Sequence, residues 1–214
     1  MGEPKSVLTV LDPPPPSEPA SSVPADMDAL LTGVIAGERS AHAALYDLLS
    51  PVVARTLQKI LRDNSGDYED LVQASFERIV RTITGAQRVQ VRNLSAWAGA
   101  IAAHVALDAL RSRSRESRLF ERESARPSQV ESVRAPSLER QLEARQKLQW
   151  LHEALSRMNA AQAQTLVLHD VLGHDLHEIA GITGVTLAAA QRRLSRGRQE
   201  LLRRAAKHGL REGK

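Results

Sequence analysis

Arg192, Arg196, Gln199 and Arg203 follow one another at steps of four, three and four. At 100° per residue this spacing lines one side of a helix, and Ala190, Leu194, Gly197 and Leu201 line the opposite side at the same steps. Guanidinium and carboxamide groups in such a row perform no covalent chemistry. They neutralise a polyanion and hydrogen-bond base edges. The preceding words, "DLHEIAGITGVT", predict a helix, a tight turn and a new start. Ala180 lets the second helix approach closely, Gly184 permits a left-handed turn, and Ile179 and Val185 add apolar contacts. Thr186 can accept from amides of the next first turn. A helix-turn-helix of this kind lays its second helix in the major groove. Ala188 and Ala189 near that helix start cannot hydrogen-bond a base, although a methyl group can touch a thymine methyl. They let the helix lie deep, leaving Gln191, Arg192 and Arg196 to read and Arg193, Arg198, Arg203 and Arg204 to meet phosphates.

A second cationic row runs through His104, Asp108, Arg111 and Arg115, again at four, three and four, with Arg113 beside it. The upstream loop "GAQRVQVRN" adds Arg88, Arg92 and Asn93 next to Trp97. Cationic grooves with stacking surfaces hold single strands, so these residues suit capture of an unpaired base. The competing placement for Trp97 and His104 is the core. An acidic group, Asp67, Glu69 and Asp70, opens "DYEDLVQASFERIVRTI", where Asp67 at the N-cap and Asp70 at N3 explain the charge as helix capping. Val72, Phe76, Ile79, Val80 and Ile83 form its apolar stripe, and Asp70, Gln73 and Glu77 project together elsewhere. His169, His174 and His177 with Asp170 and Asp175 lack H-E-x-x-H spacing, so no metal, cofactor or catalytic site is expected.

Helices must position these groups. The chain has 214 residues, 42% of them hydrophobic but only two each of Trp, Tyr and Phe, so Leu, Ala, Val and Ile fill the interior. No cysteine is present, which excludes disulfides and thiolate metal sites. The net charge of +4 is uneven: residues 186–214 hold nine basic and two acidic residues, 111–137 hold seven and four, and the remaining blocks are each slightly acidic. Two separate contacts with a polyanion fit that pattern, with strong salt sensitivity at the terminal one. Seven of the ten prolines precede residue 25, in a stretch too polar and too broken to bury. No secretory leader or membrane span is read, because "VLTVL" is too short and "LSAWAGAIAAHVALDAL" carries His104 and Asp108. The expected fold is all-α: a disordered tail over 1–26, a helical domain over 27–115, a flexible linker over 116–138, a helix-turn-helix domain over 139–208 and a basic tail over 209–214. Cytoplasmic residence follows, with nucleoid association when active.

The chain resembles the extracytoplasmic-function (ECF) group of bacterial sigma-70 RNA polymerase sigma factors. Asp67, Glu69, Asp70, Leu71, Val72, Gln73 and Phe76 are similar to the group's core-binding helix. Gly37, Ala41, Leu45, Tyr46 and Pro51 resemble its first helices. Trp97, Ile101, Ala102, Leu107, Asp108, Leu110 and Arg111 resemble its promoter-melting helix, and "LHEIAGITGVTLAAAQRRLSRGRQEL" its second DNA-binding domain. The matches cover 28–115 and 139–205. The resemblance implies an initiation factor without catalysis of its own. Asp70, Gln73 and Glu77 would grip the beta-prime clamp helices of polymerase core, and the second domain would meet the beta flap. Arg88, Arg92, Asn93, Trp97, His104, Arg111, Arg113 and Arg115 would open and read the −10 element of promoter DNA. Thr186, Ala188, Ala189, Gln191, Arg192, Arg193, Arg196, Gln199 and Arg203 would read the −35 element. It also implies an anti-sigma partner.

Departures fall on the DNA surfaces. Ala103-His104 replaces the usual Arg-Asn, and Ala188, Ala189, Ala190 and Gln191 replace Gly-Thr-Val-Lys. Met158-Asn159 replaces Leu-Pro, and His42 replaces a phenylalanine. A factor with impaired promoter opening is one alternative. A polymerase-independent helix-turn-helix regulator is the other.

Overall fold

The chain folds, in a computed structural model, into helices only among the described residues, which are 25–62, 67–85, 93–123 and 136–208. The proline-rich stretch, Arg88, Arg92 and the terminal basic tail lie outside them. The first unit comprises α1 (Ala25–Ile35), α2 (Arg39–Leu61), α3 (Tyr68–Ile83) and α4 (Leu94–Glu123). The second comprises α5 (Pro136–Ser156), α6 (Ala160–Leu166) continued by a π-helical turn (Val167–Val171), α7 (Leu176–Thr183) and α8 (Leu187–His208).

In α2, Ala41, Leu45, Leu49, Val53 and Leu57 recur every fourth residue and are all buried, a stripe facing α4 and α1. Arg62 closes the helix in a left-handed conformation, φ 53°, its amide donating to the Gln58 carbonyl. In α3, Ser75, Ile79 and Ile83 point inward. The centre of the molecule is α4. Ala98, Ala100, Ala102, Ala103 and Ala106 are all buried, together with Leu107 and Leu110, so short side chains face neighbours on several sides. That lets α2, α3 and α5 all pack against one helix.

Two boundaries differ from the sequence expectation. The apolar periodicity fails after Arg115, yet α4 runs on to Glu123. Ser112 donates to Glu116 and Arg118 to Ser114, and no glycine or proline interrupts before Pro127. Residues 115–119 are exposed and i,i+4 pairs support the helix there, so the apolar periodicity gives no sign of it. Likewise α5 starts at Pro136, a residue that suits a first turn.

In the second unit, α6 begins where the family's usual proline is absent. Asn159 Oδ1 accepts from the amides of Ala161 and Gln162, a cap worth about 1 kcal/mol. Helix α8 crosses α6 at Gly197, where an added Cβ would stand 3.2 Å from the Gln162 carbonyl oxygen. A branched side chain there must push α6 backbone aside. Gly197→Val is expected to lower stability by about 2 kcal/mol. Gly181→Ala, in open space on α7, should raise it by about 0.5 kcal/mol. Urea unfolding midpoints of the two variants, moving in opposite directions, check the crossing.

Candidate nucleic-acid and protein interfaces

The turn between α7 and α8 is built as its residue types require. Asp175 accepts from the amides of His177 and Glu178 while Glu178 reaches back to the Asp175 amide, a reciprocal capping box. The D-x-x-E spacing at 175–178 was the available signal for it. Those amide bonds hold the Asp175 carboxyl below its ordinary value, with Glu178 N–H the largest cause. Gly184 ends α7 at φ +65°, and Thr186 Oγ1 accepts from Ala189 N–H at 3.2 Å to start α8. Ile179, Ala180, Ala190 and Leu194 close the packing between the two helices.

On α8, Ala190, Leu194 and Gly197 are buried, and Gln191, Arg192, Arg196, Gln199 and Arg203 are exposed, as the opposed rows require. Ala188 and Thr186 are exposed, Ala189 is half-covered, and Ser195 lies on the same outer face as Ala188, Arg192 and Gln199. Sequence reading passed over Ser195 because a serine among arginines carries no charge signal. The arginines divide into two sets. Arg198 is held by Asp170 and His169 of the π-helical turn, which keeps the Asp170 carboxyl below its usual range, chiefly through the Arg198 bond. Arg203 and Arg204 both bind Glu200, and Arg204 also donates to the Arg157 carbonyl. Arg192, Arg193 and Arg196 carry no ion pair among the described residues. A cleft of about 350 Å³ beside this helix brings Arg157, Asn159 and Gln162 up to Arg196, Gln199 and Arg203.

In the first unit Asp108 is the hub. Its carboxylate lies 2.8 Å from Arg111, 3.0 Å from His104 and 3.8 Å from Arg78. Arg111 is largely covered, and its Nη2 is buried without a hydrogen-bond partner among the described residues. Arg113 crosses to α3 and donates to Asp67 at 3.2 Å. The Asp67 carboxylate therefore makes no capping bond, contrary to the box-like start expected there, because the arginine offers it a charge partner. Arg115 is exposed. Asn93 Oδ1 accepts from Ala96 N–H and starts α4. Trp97 is only 8% exposed and belongs to the core, yet its edge lines a cleft shared with the second unit. On α3, Asp70, Gln73 and Glu77 are exposed on one face, and Gln73 Nε2 donates to Glu77 at 3.0 Å. Tyr46 stacks on Phe76 beside that face, ring centroids 4.5 Å apart. Among the described residues no group of three or more His, Asp or Glu side chains is placed to hold a metal ion, and no helix is long and apolar enough to cross a membrane.

An acidic, polar face on α3 and a cationic helix in a helix-turn-helix are thus carried by separate units, joined through α4. The family model for sigma-70 region 2 matches residues 45–116, and that for sigma-70 region 4 matches 148–201. The ECF RNA polymerase sigma factor SigE of Mycolicibacterium smegmatis is 31% identical over 150 residues, 69% of this chain and 55% of that protein's length. RNA polymerase sigma factor CarQ of Myxococcus xanthus is 30% identical over 167 residues, 77% of this chain and 89% of CarQ. The solved structure of CnrH in complex with the cytosolic domain of CnrY is 18% identical, with a TM-score of 0.45 over 81% of this chain and 92% of that one. The chain belongs to the sigma-70 family of RNA polymerase sigma factors, in its ECF group, a class of promoter-directing transcription initiation factors.

Burial is the largest influence on His104 and lowers its pKa; Asp108 opposes this, while Arg78 and Arg111 reinforce it. Arg193 of α8 lines the same cleft. A depressed imidazole pKa means that the unfolded chain binds the proton more readily. Its contribution to stability is complete above about pH 6.5 and is lost as pH falls from there through the folded value. The urea midpoint should therefore drop between pH 8 and pH 5, and less so in His104→Gln. Equal slopes for both proteins would contradict this account.

Proposed function

We propose that this chain joins bacterial core polymerase through the α3 face of Asp70, Gln73 and Glu77 and delivers it to a promoter with two DNA surfaces. Residues 139–208 read the −35 element through Gln191, Arg192 and Arg196. Residues 27–115 engage the −10 element through α4 and the loop before it. The observation that carries the reading is the separation of charge: an exposed acidic patch on α3 and the exposed arginines of α8 lie on different units and can be altered independently. Strand opening then draws on binding energy, without catalytic chemistry by the chain. Membership of the ECF group supports an anti-sigma partner and residence in the cytoplasm.

Opposite perturbations test this. Asp70→Lys with Glu77→Lys should reduce co-elution with core polymerase at least tenfold and leave binding of the free chain to duplex DNA unchanged. Arg192→Ala with Arg196→Ala should do the reverse. If the α3 reversal left core binding intact while DNA binding persisted, a polymerase-independent helix-turn-helix regulator would be the better reading.

A further inference from the structure

Trp150 stands off the apolar stripe of α5. Ala154, Leu155 and Met158 are buried there, whereas the tryptophan is half-covered and makes no side-chain hydrogen bond among the described residues. Glu153, Ala154 and Arg157 follow it three, four and seven residues on, so the four share one side of the helix. The end of α8 faces them with Arg203, Arg204, Lys207 and His208, and the two sets enclose a cleft of about 330 Å³. Small-molecule sites begin at about 300 Å³. The rings of Trp150 and His208, centroids 5.9 Å apart and tilted by 56°, form an aromatic corner in its lining.

Charge in this cleft does not balance. Arg157 pairs with Glu153, while Arg203 and Arg204 share the one carboxylate of Glu200, at 2.6 and 2.7 Å. Lys207 carries no ion pair among the described residues. Four cations against two carboxylates leave two positive charges unmatched, before any protonation of His208. Like charges held together by two packed helices repel, and a bound anion relieves them. Guanidinium groups take phosphate oxygens in pairs, and the flat face of a base stacks on an indole. A single phosphoryl group offers about two negative charges and only a few acceptor oxygens, fewer than these cations can engage.

We propose that the cleft between α5 and α8 binds a nucleoside polyphosphate, its base against Trp150 and His208 and its phosphates among Arg157, Arg203, Arg204 and Lys207. The site lies off the DNA-reading row. At 100° per residue, Arg204 and His208 fall beside the packing row of α8, more than a quarter turn from Arg192. Nucleotide binding here requires neither polymerase nor promoter.

Equilibrium dialysis of the full chain against ADP, adenosine and inorganic pyrophosphate, without divalent cations, tests the assignment, since ADP joins the two smaller probes. ADP should bind at least tenfold more tightly than either. Trp150→Leu should remove most of that advantage and leave pyrophosphate affinity unaltered, whereas Lys207→Gln should weaken ADP and pyrophosphate alike, both at unchanged helicity. Arg192→Ala with Arg196→Ala should not alter ADP affinity. No binding at millimolar ADP overturns the proposal. Pyrophosphate bound as tightly as ADP overturns it too, because the cleft is then a bare anion patch. Loss of ADP binding in the Arg192 and Arg196 variant does the same, because the anion then sits on the DNA surface.

Discussion

The constraint on which the rest depends is the run of small side chains along α4. A helix that buries Ala98, Ala102, Ala103 and Ala106 almost completely presents little bulk in any direction, so neighbours can approach from several sides. Packing density in a protein interior is high enough that one larger residue at such a position displaces a whole helix. Helix α3 and the second unit both take their positions from this one element. Its geometry is therefore shared between the two units, and its alanines serve as spacers for both.

Much of this was legible in the residues. The buried stripe and the exposed row of α8 follow from steps of three and four, and the turn before it from Ala180, Gly184 and Thr186. Helical spacing is a local property, and local properties can be read from one strand of text. The ion pairs were harder. Arg198 and Asp170 are far apart in sequence, and only the π-helical turn brings them together. Arg113 and Asp67 meet only because α3 packs on α4. A row of like charges looks uniformly available until tertiary contacts divide it. Trp97 shows the same difficulty: a stacking role and a core role predict the same residue type at the same place. The structure puts the ring in the core with one edge on a cleft.

The departures from the family's usual wording also find physical places. Asn159 supplies by its side chain what a proline supplies by its fixed backbone angle, and α6 begins normally. Ala190 is core, so its small size concerns how closely α7 and α8 approach. Ala188 alone among the three alanines stands fully outside. His104 is the departure with the widest reach, because it joins the Asp108 network at the cleft between the units.

The split among the arginines of α8 changes what its formal charge means to a nucleic acid. An arginine that leaves Asp170 or Glu200 for a phosphate exchanges one anionic partner for another and gains less than an arginine with none. Counterion release measures the phosphates actually neutralised. Under the −35 assignment proposed above, that number would be set by Arg192, Arg193 and Arg196, which carry no ion pair among the described residues, more than by all nine basic residues of the terminal segment. A binding surface with few net charges holds DNA loosely where the sequence is wrong, and so depends for selectivity on where its few contacts fall.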